Sequence, residues 1–60
     1  MPRNFITVDG KKFIWDGVCY PGEEHSSEKM QKYKTDGFEV ERREEEGKNY
    51  LYTRRVVKHV

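Results

Sequence analysis

Cys19 is the only thiol in this 60-residue chain, and His25 and His59 are the only imidazoles that could activate it. A nucleophilic cysteine needs a base within hydrogen-bond reach and a third group to orient that base. Nothing in the spacing of Cys19, His25 and His59 builds such an arrangement, and a cysteine on a strand is ordinarily a small, inert hydrophobe. The same thiol and His25 with one acid would be the obvious metal set, but the close ligand pairs of a zinc site are missing. Glu23-Glu24 and Glu44-Glu45-Glu46 supply neighbouring carboxylates. Acid–base work requires one of such a pair to be buried or coupled, and a glutamate run at a turn tip is solvated. No catalytic residue, metal ligand or cofactor site is expected, and the chain reads as a non-enzymatic module.

A second chemistry lies near the C-terminus. From Lys48 onward the charged residues are Lys48, Arg54, Arg55 and Lys58, with no acid among them. Tyr50 and Tyr52 interleave with them, so Tyr50, Tyr52, Arg54 and Arg55 have the composition of a strand that stacks bases and holds phosphates. Glu39, Glu41 and Glu44 on the neighbouring segment oppose this, because opposite charges across a hairpin more simply pair with each other. The net charge of +1 gives no global pull toward nucleic acid. Nucleic-acid binding is therefore the alternative reading and not the first.

The elements that would position these residues follow from turn chemistry and periodicity. Phe5-Ile6-Thr7-Val8 and Lys11-Lys12-Phe13-Ile14-Trp15 flank Asp9-Gly10, a strong short-range hairpin signal. Asp16-Gly17 interrupts the return strand and predicts a bulge or tight bend before Val18-Cys19-Tyr20. Pro21-Gly22 ends the β region. Ser26 or Ser27 can cap a helix whose start carries Glu23, Glu24 and Glu28 and whose end carries Lys29, Lys32 and Lys34, as the helix dipole favours. Gly37 stands where a left-handed helix stop wants glycine, with Phe38 placed to touch Tyr33. Phe38 to Arg42 then alternates apolar and charged residues like a half-buried strand. Glu44 to Lys48 forms a turn, and Tyr50 to Val57 the return strand.

The two hairpins resemble each other. Asp9-Gly10-Lys11-Lys12-Phe13-Ile14-Trp15 aligns with Glu46-Gly47-Lys48-Asn49-Tyr50-Leu51-Tyr52, which predicts like turns and like facing. The fold expected is a two-layer ββαββ α+β domain, one helix packed on a mostly antiparallel four-stranded sheet. Residues 1–60 make a single domain, with a hairpin at about 5–20, a helix at about 25–36 and a second hairpin at about 38–57. Charged residues are 38% of the chain and hydrophobic ones 33%, which taken alone leans toward disorder, but aromatics make up 13% and argue for a packed core.

Facing depends on loop length. Three-residue loops, the preferred expectation, gather Phe5, Phe13, Trp15, Phe38, Val40, Tyr50 and Tyr52 on one face beneath Met30 and Tyr33. Ile6, Val8, Ile14 and Leu51 then occupy the opposite face. Two-residue loops shift the register by one step, joining Phe38 and Val40 to Leu51 and putting Tyr50 and Tyr52 with Glu41 and Arg43. One short helix covers one face only, and an uncovered apolar patch marks an interface. Ile6, Val8, Ile14 and Leu51 are thus the candidate protein interface, and a homodimer or an unidentified protein the expected partner, through the open face or a sheet edge. A lone cysteine and the lack of a leader-like or membrane-spanning apolar run fit a cytoplasmic protein that does not enter the membrane.

Overall fold

A computed structural model describes residues 3–56. The elements run β1 (Phe5–Val8), β2 (Lys11–Tyr20), α1 (Glu23–Thr35), β3 (Phe38–Glu45) and β4 (Lys48–Arg55). The strands form one antiparallel sheet in the order β1-β2-β4-β3, so the two return strands meet at its centre. The ββαββ α+β arrangement expected from sequence is the one observed. Val57, the expected end of the last strand, and His59 and Lys58 lie outside the described residues.

Both hairpins close through two-residue turns. Asp9 and Gly10 have φ of 50° and 76°, and Glu46 and Gly47 have 51° and 77°. Two successive left-handed residues make the mirror-image turn whose twist matches that of the flanking strands. Glycine takes the second position freely; Asp9 tolerates the first through its short polar side chain, whereas Glu46 is a less usual occupant. The preferred three-residue loops are therefore corrected, and the faces exchange. Phe5 pairs with Ile14 and Ile6 with Phe13. Val40 pairs with Thr53, Arg42 with Leu51, and Glu41 with Tyr52. Because partners directly opposite share a face, Phe38 and Val40 lie with Leu51, and Phe13, Trp15, Tyr50 and Tyr52 lie on the other side, while Tyr20, opposite Asn49, stays on the side of Leu51.

Helix α1 packs on the face that carries Leu51. It begins at Glu23, not near residue 25, and its N-cap is Gly22 in an extended conformation with no side-chain cap. The expected serine cap is replaced by the Pro21-Gly22 turn, and Ser26 is a fully buried residue inside the helix whose hydroxyl donates to the Glu23 carbonyl at 2.9 Å. A small residue at the contact lets the helix backbone approach the sheet closely. Its C-terminus follows the sequence reading. Gly37 has φ of 89°, its N–H donates to the Lys34 carbonyl at 3.1 Å, and the Tyr33 and Phe38 rings meet edge to face at 5.6 Å.

The opposite face carries Phe13, Tyr50 and Tyr52, all buried, with Ile6, Val8 and Trp15 packed against them. Among the described residues no second helix covers these rings. The sheet is curled, Trp15 stands edge-on to Tyr50 at 5.9 Å, and the Tyr52 hydroxyl donates to the Arg3 carbonyl at 2.9 Å, which ties Arg3 to the cluster. The bulge predicted at Asp16-Gly17 is present as a register shift between Trp15 and Cys19, with Gly17 at φ 83°.

Candidate functional site

The thiol and imidazole considered from sequence both line one shallow groove of about 380 Å³, together with Tyr20, Glu28, Lys29 and Lys32. Cys19 is exposed, and no hydrogen bond joins it to His25 among the described residues. No group of three metal-ligating side chains comes together among them either. Glu44, Glu45 and Glu46 are exposed around the second turn. Among the described residues, the carboxylate that accepts the most hydrogen bonds is Asp16, at the bulge. Its Oδ2 accepts from the Tyr20 hydroxyl at 2.7 Å and from the Tyr33 hydroxyl at 3.1 Å, while Oδ1 accepts from the Val18 N–H at 3.0 Å. Burial, reinforced by the Asp16 carboxylate, holds both tyrosine hydroxyls above their ordinary range. They stay protonated donors at neutral pH, and the cluster ties α1 to the bulge.

The residues of the nucleic-acid reading are dispersed. Tyr50 is buried and Tyr52 only 2% exposed, so neither ring has a face to offer a base. Burial also raises the hydroxyl pKa of Tyr50, aided by the neighbouring Cys19, and that of Tyr52. Arg54 lies opposite Glu39 in the β3–β4 ladder and pairs with it at 3.3 Å. That is the cross-strand neutralisation expected from the acids of β3. Arg55 is exposed and projects to the helix side, opposite Phe38.

The four residues of the candidate interface are likewise divided. Leu51 is 0% exposed, beneath the helix, while Ile6 and Val8 are half-buried against the aromatic cluster on the other face. Only Ile14 stands in solvent, at 56% exposure. The expectation that the four share an uncovered face fails with the three-residue register that produced it. What stands beside Ile14 instead is Phe5, its direct partner on β1 and itself 48% exposed. Lys12 leans over the Phe5 ring at 4.4 Å. Phe5, Ile14, Thr53 and Val40 form one row across all four strands, and α1, packed on β3 and β4, covers the far end of the row better than the near end.

That row ends at a sheet edge, and the two edges of this sheet are unlike. Six of the eight residues of β3 are charged, in the run Phe-Glu-Val-Glu-Arg-Arg-Glu-Glu, and charged side chains along an edge discourage a further strand from adding. Glu39, Glu41 and Arg43 are engaged in ion pairs along it. Strand β1, Phe-Ile-Thr-Val, has no charge at all. The Trp15 N–H donates to the Asn4 carbonyl at 2.9 Å, which makes Asn4–Trp15 a hydrogen-bonded pair. By the alternation of an antiparallel ladder, Ile6 and Val8 also bond inward to β2, and the N–H and C=O groups of Phe5 and Thr7 point outward. Sequence reasoning missed Phe5 because its role depends on β1 being an edge, which the strand order decides.

The sequence matches no protein-family model, no curated protein and no solved structure. No helix among the described residues is long and apolar enough to cross a membrane.

Proposed function

We propose that this chain is a non-enzymatic binding and assembly module that receives an extended strand along the outer edge of β1. The observation that carries this reading is the contrast between the edges: a heavily charged β3 and an uncharged β1 whose Phe5 and Thr7 backbone groups face outward. Strand addition draws affinity from main-chain hydrogen bonds and selectivity from alternate side chains. Exposed Phe5 and Ile14 supply an apolar platform for those side chains on the helix side. The lone exposed Cys19 accords with a reducing, cytoplasmic setting for such a module.

The test is a titration of the isotope-labelled protein with a short peptide of alternating threonine and valine. The expected outcome is amide shift changes centred on Phe5 and Thr7 that vanish when the peptide backbone is N-methylated. Changes centred on β3, or none, would remove the proposal.

A further inference from the structure

The pattern of outward groups and flanking charges on β1 is self-complementary. We infer that the strand this edge receives is β1 of a second copy of the chain, antiparallel, with the two-fold axis at Ile6. The inference rests on the strand-accepting edge proposed above and names its occupant.

Three observations select this register. Phe5 and Thr7, the residues whose backbone groups face outward, lie one position to either side of Ile6. Antiparallel pairing centred on Ile6 sets Phe5 of each copy against Thr7 of the other and satisfies all eight outward groups as four hydrogen bonds. Arg3 and Asp9, both exposed, lie three positions to either side of the same residue. Neither belongs to the ladder, since Arg3 precedes β1 and Asp9 stands in the turn that follows it, but the same pairing brings the end of the strand carrying Arg3 in each copy toward the end carrying Asp9 in the other, twice, and opposite charges brought near each other attract. Parallel pairing would instead set Arg3 beside Arg3 and Asp9 beside Asp9. Lastly, Ile6 is half-buried against the cluster containing Phe13, its partner on β2. Joining two copies at Ile6 makes one unbroken apolar row, Phe13 and Ile6 of one copy followed by Ile6 and Phe13 of the other. A two-fold at Phe5 or at Thr7 uses only one of the two outward-facing residues and loses both charge pairs.

Pairing one four-residue strand buries less than the ~1,200 Å² of a standard stable interface. The dimer therefore forms and dissociates readily, and populates at the upper end of a micromolar-to-millimolar concentration series.

The experiment combines sedimentation over that series with variants that report register. Thr7→Pro removes an outward N–H while leaving the β1–β2 ladder whole, since proline is accepted where a strand's N–H faces solvent. It is expected to leave the circular dichroism unchanged and to abolish the dimer. In a Cys19→Ser background, Ile6→Cys is expected to oxidise to a covalent dimer. Facing residues of a non-hydrogen-bonded pair stand about 4.5 Å apart at Cα, within disulfide range. Phe5→Cys in that background is expected to remain monomeric on oxidation. Should Thr7→Pro fail to fold, the cysteine pair decides alone. A protein monomeric at every concentration overturns the second-copy inference, as does cross-linking through Phe5→Cys and not Ile6→Cys. Those results leave the strand-accepting edge standing if the threonine–valine peptide still shifts Phe5 and Thr7, and remove both readings if it does not.

Discussion

Asp9 to Trp15 and Glu46 to Tyr52 carry one pattern of acid, glycine, lysine, polar or basic residue, aromatic, aliphatic, aromatic, and both close through the same two-residue turn. Ile14 and Leu51, the aliphatics of that pattern, both face the helix side of the sheet. Yet Leu51 is 0% exposed and Ile14 56%. The difference is not local. Helix α1 runs over β3 and β4, tied there by Tyr33 on Phe38 and by Arg42 reaching Glu23 at 3.4 Å, and leaves the outer part of the N-terminal hairpin bare. Equivalent residues on equivalent hairpins become a core side chain and a surface side chain because one helix is too narrow for the sheet. The covered hairpin carries a core side chain, and the uncovered one leaves Phe5 and Ile14 exposed.

Leu51→Ala breaks this comparison most severely. A fully buried leucine truncated to alanine loses its transfer free energy and leaves a cavity, so unfolding in urea should show a loss of about 2–5 kcal/mol. Asp16→Ala is next. It leaves two tyrosine hydroxyls and the Val18 N–H without their acceptor, and a loss of about 1–3 kcal/mol is expected by the same measurement. Alkaline pH should reach the same cluster. Tyr20 and Tyr33 hold their protons more tightly folded than unfolded. The stability this contributes is complete below the ordinary tyrosine value of about 10 and is lost as pH rises toward the folded-state values. Melting temperatures should fall above about pH 10, and Tyr20→Phe with Tyr33→Phe should flatten that fall. Ile14→Ala should cost the least, about 0.5 kcal/mol or less, as for surface substitutions generally. A loss at Ile14 equal to that at Leu51 would mean the first hairpin is covered after all.

Much of this was legible where the determinants are local. Gly37, Tyr33 and Phe38 sit within one helix stop, and the geometry they require is set by a few dihedrals; the structure has it. Asp16-Gly17 in the middle of an alternating strand had to be absorbed as a bulge, and it is. The helix start was less legible. Two serines competed with the Pro21-Gly22 turn as the entry point, and Ser26 proved more useful as a small buried contact than as a cap. The facing of the strands was not legible. Asp-Gly and Glu-Gly fit loops of two or three residues, although the two-residue turn is the commoner and Asp-Gly its usual occupant, and one step of register inverts every side chain. The candidate interface of Ile6, Val8, Ile14 and Leu51 was built on the wrong step. The β1 edge proposed in its place required both the register and the strand order.

The residues alone determined that there would be two hairpins and a helix, where the chain turns, and that aromatic rings would make the core. These follow from glycine at positive φ, from period-two alternation and from helix-end chemistry, all acting over a few positions. Tertiary structure alone decided which rings the helix would miss, which hairpin it would cover and which strand would be left at an uncharged edge. Those outcomes turn on how four strands order themselves and how far one helix reaches, and no short stretch of sequence contains either.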